Sequence, residues 1–141
     1  MKKIKYIIIH CSATRENVAY TVEQMEADHK ARGFRTIGYH YYIRRDGTVT
    51  QHRGHNETGA HCKGYNACSI GICYEGGLDT QGKPANTLTD AQRRSMGTLI
   101  RALRKSYPDA ALVGHRDLNP DKECPCFDVR TMFDTSEQDK R

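Results

Sequence analysis

Apolar residues fall along this chain in a few distinct patterns, and each predicts an element. Lys3 to His10 holds Ile4, Ile7, Ile8 and Ile9 with little polar alternation, as in a strand buried on both faces. Ser69 to Glu75 and the shorter Ala111 to Val113 read as further strands. Tyr39 to Arg45 and Thr48 to His52 are β-prone runs on either side of Asp46 and Gly47, which predicts a hairpin. Two stretches carry helix signals. Thr21 with Gln24 is a capping box, and its helix is expected to reach about Arg32, with Gly33 just past the end. Thr89 with Gln92 repeats the box. Behind it Ala91, Met96, Leu99, Ile100, Leu103 and Tyr107 lie mostly on one face until Pro108 stops the helix. Phe127 to Phe133 predicts a last short helix. Residues 53–68 and 76–88 lack periodicity and read as loops, the first long enough to be functional.

Strands interleaved with helices place the chain in the α/β class. The expected architecture is a single domain, residues 1–134, with a central mixed β-sheet flanked by α-helices, and a frayed polar tail over 135–141. The sheet is expected to be mixed because one hairpin interrupts the alternation. A chain of 141 residues is long enough for one sizeable core. No apolar stretch approaches the length of a membrane span. Lys5 and His10 cut the N-terminal apolar run short of a signal-peptide core, so the chain reads as made in the cytoplasm, with no membrane partner.

Charge changes little. Twenty-two basic against seventeen acidic residues leave +5, which reads as a solvated surface, and no nucleic-acid-binding signature accompanies it. The six cysteines, without a secretory signal, read as free thiols or metal ligands rather than disulfides. Cys62, Cys68 and Cys73 do not have zinc-ribbon spacing, and Cys73 lies in an apolar run where a buried thiol is ordinary. Cys124-Pro125-Cys126 is too tight for a C-x-x-C redox motif, and the H-x-E and P-C-x-x-C signature of a zinc deaminase is missing.

Candidate chemistry begins with His10 and His115, each at the end of an apolar run, and with Cys124, nine residues after the second. Two imidazoles and a thiolate suit Zn²⁺ and leave its fourth position open. Spacing alone, however, favours a half-buried structural histidine at each place, since no HExxH-type repeat links them. His29, His52 and His55 read as polar surface.

Seven short motifs occur in order: His10-Cys-Ser-Ala-Thr14, Gly38-Tyr39-His40, Arg45-Asp-Gly-Thr-Val49, His61-x-Lys63-Gly-Tyr-Asn66, Ser69-Ile-Gly-Ile72, Gly114-His115 and Lys122-x-Cys124-Pro-x-Phe-Asp128. Together, from about Ile4 to Phe133, the chain resembles the zinc-dependent N-acetylmuramoyl-L-alanine amidases, above all their bacteriophage endolysin branch; peptidoglycan recognition proteins share that fold. The resemblance implies that His10, His115 and Cys124 bind Zn²⁺ at one edge of the sheet and that Tyr39 and Lys122 assist catalysis. It further implies that His61, Lys63 and Asn66 line the substrate groove. The reaction implied is hydrolysis of the amide between N-acetylmuramic acid and L-alanine in peptidoglycan. The chain would act as a monomer released to the wall by a holin or by lysis. Taken without the resemblance, Tyr39 reads as a core aromatic, Lys122 as a solvated loop charge and Asn66 as a turn residue. A non-catalytic peptidoglycan-binding protein is the alternative on the same fold, and an RNA polymerase partner follows by analogy with the phage branch alone. Two departures stand out: an extra residue near Asn119–Asp121, and Cys126 in place of a serine, which makes it a rival metal ligand.

Overall fold

The structure, a computed structural model, describes residues 3–133. The expected end of the domain at residue 134 and the tail over 135–141 lie outside the described residues. The chain runs β1 (Tyr6–Cys11), β2 (Thr14–Arg15), α1 (Val22–Ala31), β3 (Tyr41–Ile43), β4 (Val49–Gln51), a 3-10 turn (Asn66–Cys68), β5 (Ser69–Tyr74), β6 (Gly77–Leu78), α2 (Asp90–Ser106), β7 (Ala111–Gly114), α3 (His115–Leu118) and α4 (Val129–Met132). Five strands form one sheet in the order β4-β3-β5-β1-β7. β1 is parallel to both β5 and β7, β3 is parallel to β5, and only β4 is antiparallel, paired with β3. The mixed α/β class expected from the pattern is therefore observed.

Period-two alternation along β1 explains the layers. Ile7, Ile9 and Cys11 join Ile70, Ile72 and Tyr74 of β5 in the larger core, which Met96, Ile100 and Leu103 of α2 and Val129 of α4 cover. Ile8 belongs to the opposite face, with Cys62 and Val113, and next to it Met25 of α1 packs with Tyr42 and Cys73. Ile7, Ile8 and Ile9 are fully buried, each stabilising the fold by about 2 kcal/mol relative to exposure.

Both capping boxes form. The Thr21 side chain accepts from the Gln24 amide and Gln24 accepts from the Thr21 amide at 2.9 Å; Thr89 and Gln92 do the same. The hairpin is shorter than its sequence run, because the Arg44 amide closes onto the Thr48 carbonyl and pairing is confined to Tyr41–Ile43 against Val49–Gln51. The sequence reading misses the two-residue ribbon of β2 with β6, and also α3, in which His115 opens a helical turn. Both elements are too short for any periodicity to show.

Candidate metal centre

The carboxyl ends of β1 and β7 lie side by side, with Ile9 in register with Gly114. His10 follows Ile9 within β1, and His115 follows Gly114 at the start of α3. Ligands in open parallel sheets gather at such strand ends. The His10 and His115 rings stand 4.6 Å apart between centroids. Cys124 arrives on the loop after α3, which folds back on itself: the Arg116 amide donates to the Cys124 carbonyl at 2.8 Å and the Lys122 amide to the Asn119 carbonyl at 3.0 Å. The second of these turns spans the segment, Asn119–Asp121, where the resemblance leads one to expect an extra residue. Tyr74 of β5 holds the loop further, donating to the Pro125 carbonyl at 2.6 Å.

One nitrogen from each histidine and the Cys124 sulfur all lie within 4.8 Å of one another, the one such group among the described residues. Cys126 is outside it; its thiol donates instead to the Gly77 carbonyl at 3.3 Å. The donor set suits a soft divalent ion. His10 is 1% exposed, and burial, then the neighbouring His61 and His115, hold its pKa well below 6.5. Burial and the Lys122 charge lower that of His115 too. Both rings are thus neutral at physiological pH, with a lone pair to give. The Cys11 backbone amide donates to the Cys124 sulfur at 3.1 Å, as it would to a thiolate.

The other predicted residues surround this group in a groove of about 630 Å³. Tyr39 is half-buried, its ring 5.1 Å from that of His10; burial and the nearby thiols raise its hydroxyl pKa far above 10, so the phenol keeps its proton. Lys122 and Lys63 are exposed on the groove walls. Asn66 also lines it, yet its Oδ1 accepts from the amides of His61 and Cys62, both at 2.8 Å, which makes it a clamp for the loop. His61 stands behind the ligand group: its Nδ1 lies 2.8 Å from His10 Nε2 and its Nε2 3.2 Å from Ser69 Oγ. Gly71 of β5 is what admits this ring, since a Cβ there would come within 2.7 Å of it.

Sequence reasoning missed several groove residues, among them Arg32, Phe34 and His29. Arg32 stacks over the Phe34 ring at 4.8 Å, and with Lys63 and Lys122 it makes a groove lined by three cations and no carboxylate. His29, read as surface, is buried and accepts from the Gly38 amide at 2.9 Å. Its signal was available: it follows Met25 by one helical turn, on the same inward face of α1. His55 is likewise engaged, between the hydroxyls of Tyr41 and Tyr107, and His52 bonds the Thr50 hydroxyl.

Known proteins resemble this chain in both sequence and fold. The profile of the N-acetylmuramoyl-L-alanine amidase family matches residues 1–127. The endolysin of Enterobacteria phage K11 is 40% identical over 129 residues, covering 92% of this chain and 85% of that protein. Among solved structures, the N-acetylmuramoyl-L-alanine amidase LysC from Clostridium intestinale URNW superposes with a TM-score of 0.80 at 30% identity, over 97% of this chain and 86% of that one. A point mutant of Drosophila PGRP-LB, in complex with tracheal cytotoxin, gives 0.74 at 31% identity, over 89% of this chain and 76% of that one.

Proposed function

The chain belongs to the N-acetylmuramoyl-L-alanine amidase family, and from that membership we propose that it hydrolyses the amide joining N-acetylmuramic acid to the L-alanine of the peptidoglycan stem, as an endolysin does. The observation that carries the reading is the group of His10, His115 and Cys124 donor atoms within 4.8 Å of one another beside an open groove. We assign Zn²⁺ to that group, because two neutral imidazoles and a thiolate match its preferred ligands and three protein ligands leave a position for chemistry. When bound, the ion supplies a Lewis acid that acidifies water at neutral pH and polarises the scissile carbonyl.

The chain's own residues divide the remaining work. His61 engages one nitrogen of His10, which fixes that ring's tautomer and leaves its other nitrogen for the ion. Tyr39 keeps its proton on Oη and can donate it to the reacting carbonyl or the leaving nitrogen. The Lys122 ammonium, close enough to depress His115, stabilises negative charge developing on the carbonyl oxygen. Lys63 and Arg32, both lining the groove, give it the sign that suits the carboxylates of a stem peptide. Among the described residues no helix is long and apolar enough to cross a membrane. From the endolysin relatives we propose cytoplasmic synthesis, release to the wall at lysis, and action as a monomer with no nucleic-acid partner.

The test is release of free L-alanine amino termini from purified peptidoglycan by zinc-loaded protein. A chelator should abolish release and added Zn²⁺ restore it, and His10→Ala should lower it by roughly a hundredfold or more. The reading is lost if no such termini appear, or if His10→Ala is as active as the parent. The binding-only alternative predicts muropeptide binding by a zinc-loaded protein that cuts nothing.

A further inference from the structure

Of the motif Ser69-Ile-Gly-Ile72, the amidase reading uses only Gly71, which makes room for His61. Period-two alternation along β5 sends Ile70 and Ile72 into the larger core. Ser69 and Gly71 fall on the other face, the one that carries His10 on the neighbouring β1. Ser69 is fully buried. Its Oγ lies 2.7 Å from the Tyr65 carbonyl and 3.2 Å from Nε2 of His61. Nδ1 of the same ring lies 2.8 Å from Nε2 of His10. A line of hydrogen bonds thus runs from the Tyr65 carbonyl through Ser69 and His61 to the candidate metal ligand.

Each bond in this line has a direction. A carbonyl only accepts, so the single hydroxyl proton of Ser69 goes to Tyr65. The Ser69 oxygen is left to accept, and the proton that faces it sits on Nε2 of His61. A neutral imidazole carries one N–H, which leaves Nδ1 of His61 a bare lone pair. His10 therefore donates from its Nε2, and its own bare nitrogen is Nδ1. The His61 ring has little room to turn over and reverse this order. A Cβ at Gly59 would stand 2.5 Å from it and one at Gly71 2.7 Å, and Asn66 Oδ1 holds the His61 amide at 2.8 Å.

We propose that Ser69 is a positioning residue for the metal centre: it sets the order of protons along His61 and His10, and so makes Nδ1 of His10 the atom that takes the ion. In the opposite order His61 would donate from Nδ1 to Nε2 of His10, and the proton of His10 would occupy Nδ1. Neither nitrogen of His10 would then offer a lone pair until a proton moved. That order needs a donor facing Nε2 of His61, and Ser69 has already given its proton to Tyr65. The proton order stands on the hydrogen bonds alone. Its consequence for the ion rests on the zinc reading of the site.

The experiment reads the ring nitrogens and the zinc affinity of the full chain. In zinc-free protein well above about pH 6.5, where ordinary imidazoles are neutral, nitrogen NMR should find the protons of both His61 and His10 on Nε2. Added zinc should shift the Nδ1 resonance of His10 and leave its Nε2 protonated. Ser69→Ala should mix the His61 tautomers and weaken zinc binding by roughly threefold to tenfold in a chelator competition, at or below the low end for a group that touches a ligand directly. Ser69→Thr, which restores the hydroxyl, should recover both. Cys68→Ala removes a thiol that also reaches the Tyr65 carbonyl, at 3.5 Å. It should behave as the parent, which separates proton order from a general loosening of the turn. The proposal is overturned if the zinc-free parent carries its His61 proton on Nδ1, if zinc shifts Nε2 of His10 instead, or if Ser69→Ala keeps the parent's tautomers and affinity. The expected proton order in a parent that binds no zinc would support the role of Ser69 and overturn the zinc assignment, so the two failures are told apart.

Discussion

His61 gains the most from folding. In the sequence it is a histidine in a glycine-rich loop, placed by family resemblance among groups that touch substrate. In the fold it lines the groove, but its Nδ1 is committed to His10, 51 residues away. A partner behind a ligand orients it and tunes its basicity, and losing one typically weakens metal binding about 10–100-fold. His61→Ala should therefore lower zinc affinity by roughly that factor in a chelator competition. If affinity is unchanged and only KM rises, His61 acts on substrate. His10 and His115 were easier to find, because each terminates an apolar run and such strand ends collect functional groups. The His61 contact leaves no local trace, since the space for its ring is made by Gly71 on another strand.

Element boundaries show which signals are local. Both capping boxes could be read directly, because every atom involved lies within four residues. The role of Gln92 could not. Besides capping α2 it is fully buried, and its Nε2 donates to the carbonyls of Ile43 at 3.2 Å and Glu75 at 3.0 Å, tying the helix to β3 and the end of β5. Thr89→Ala should cost about 1 kcal/mol in denaturant unfolding, the usual value of a lost cap. Gln92→Leu should cost more, about 2 kcal/mol or above, since it also takes the donor from the Glu75 carbonyl and leaves the Ile43 carbonyl with the Glu75 amide alone. Equal losses in the two variants would mean that the cross-links to the sheet contribute nothing. Glu75 completes this junction. Burial alone would raise its carboxyl, but hydrogen bonds from Arg44 and from the Tyr20 and Arg45 amides outweigh it and hold the pKa below 4.5.

For the molecule as a whole these shifts add into a dependence on pH. His10, His29, His52 and His115 are all lowered from 6.5 in the folded chain, burial being the main cause for each. The unfolded chain therefore takes up protons first as pH falls, so their contribution is complete above about 6.5 and is lost progressively below it. Glu75 acts in a second window: its contribution is present above 4.5 and disappears at lower pH. Calorimetry of the metal-free protein should show a steady Tm down to about pH 6.5 and a decline between there and pH 5, before the carboxylates titrate. Zinc should raise Tm at neutral pH and lose that effect across the same interval, as protons displace it from His10 and His115. A flat Tm from pH 7 to 5 would contradict the burial of these histidines as neutral groups.

Periodicity, caps and the Asp46-Gly47 turn are legible in the sequence, because each depends on residues a few positions apart. They were enough for the α/β class and most of its elements. The ordered motifs supplied the family, and with it the names of the site residues. Whether those residues meet is a matter of register. β1 must lie parallel to β7, with Ile9 beside Gly114, for His10 and His115 to share one end of the sheet, and the loop after α3 must turn back for Cys124 to reach the Cys11 amide 113 residues away. Packing of the two cores sets that register, through contacts between segments that no local pattern connects.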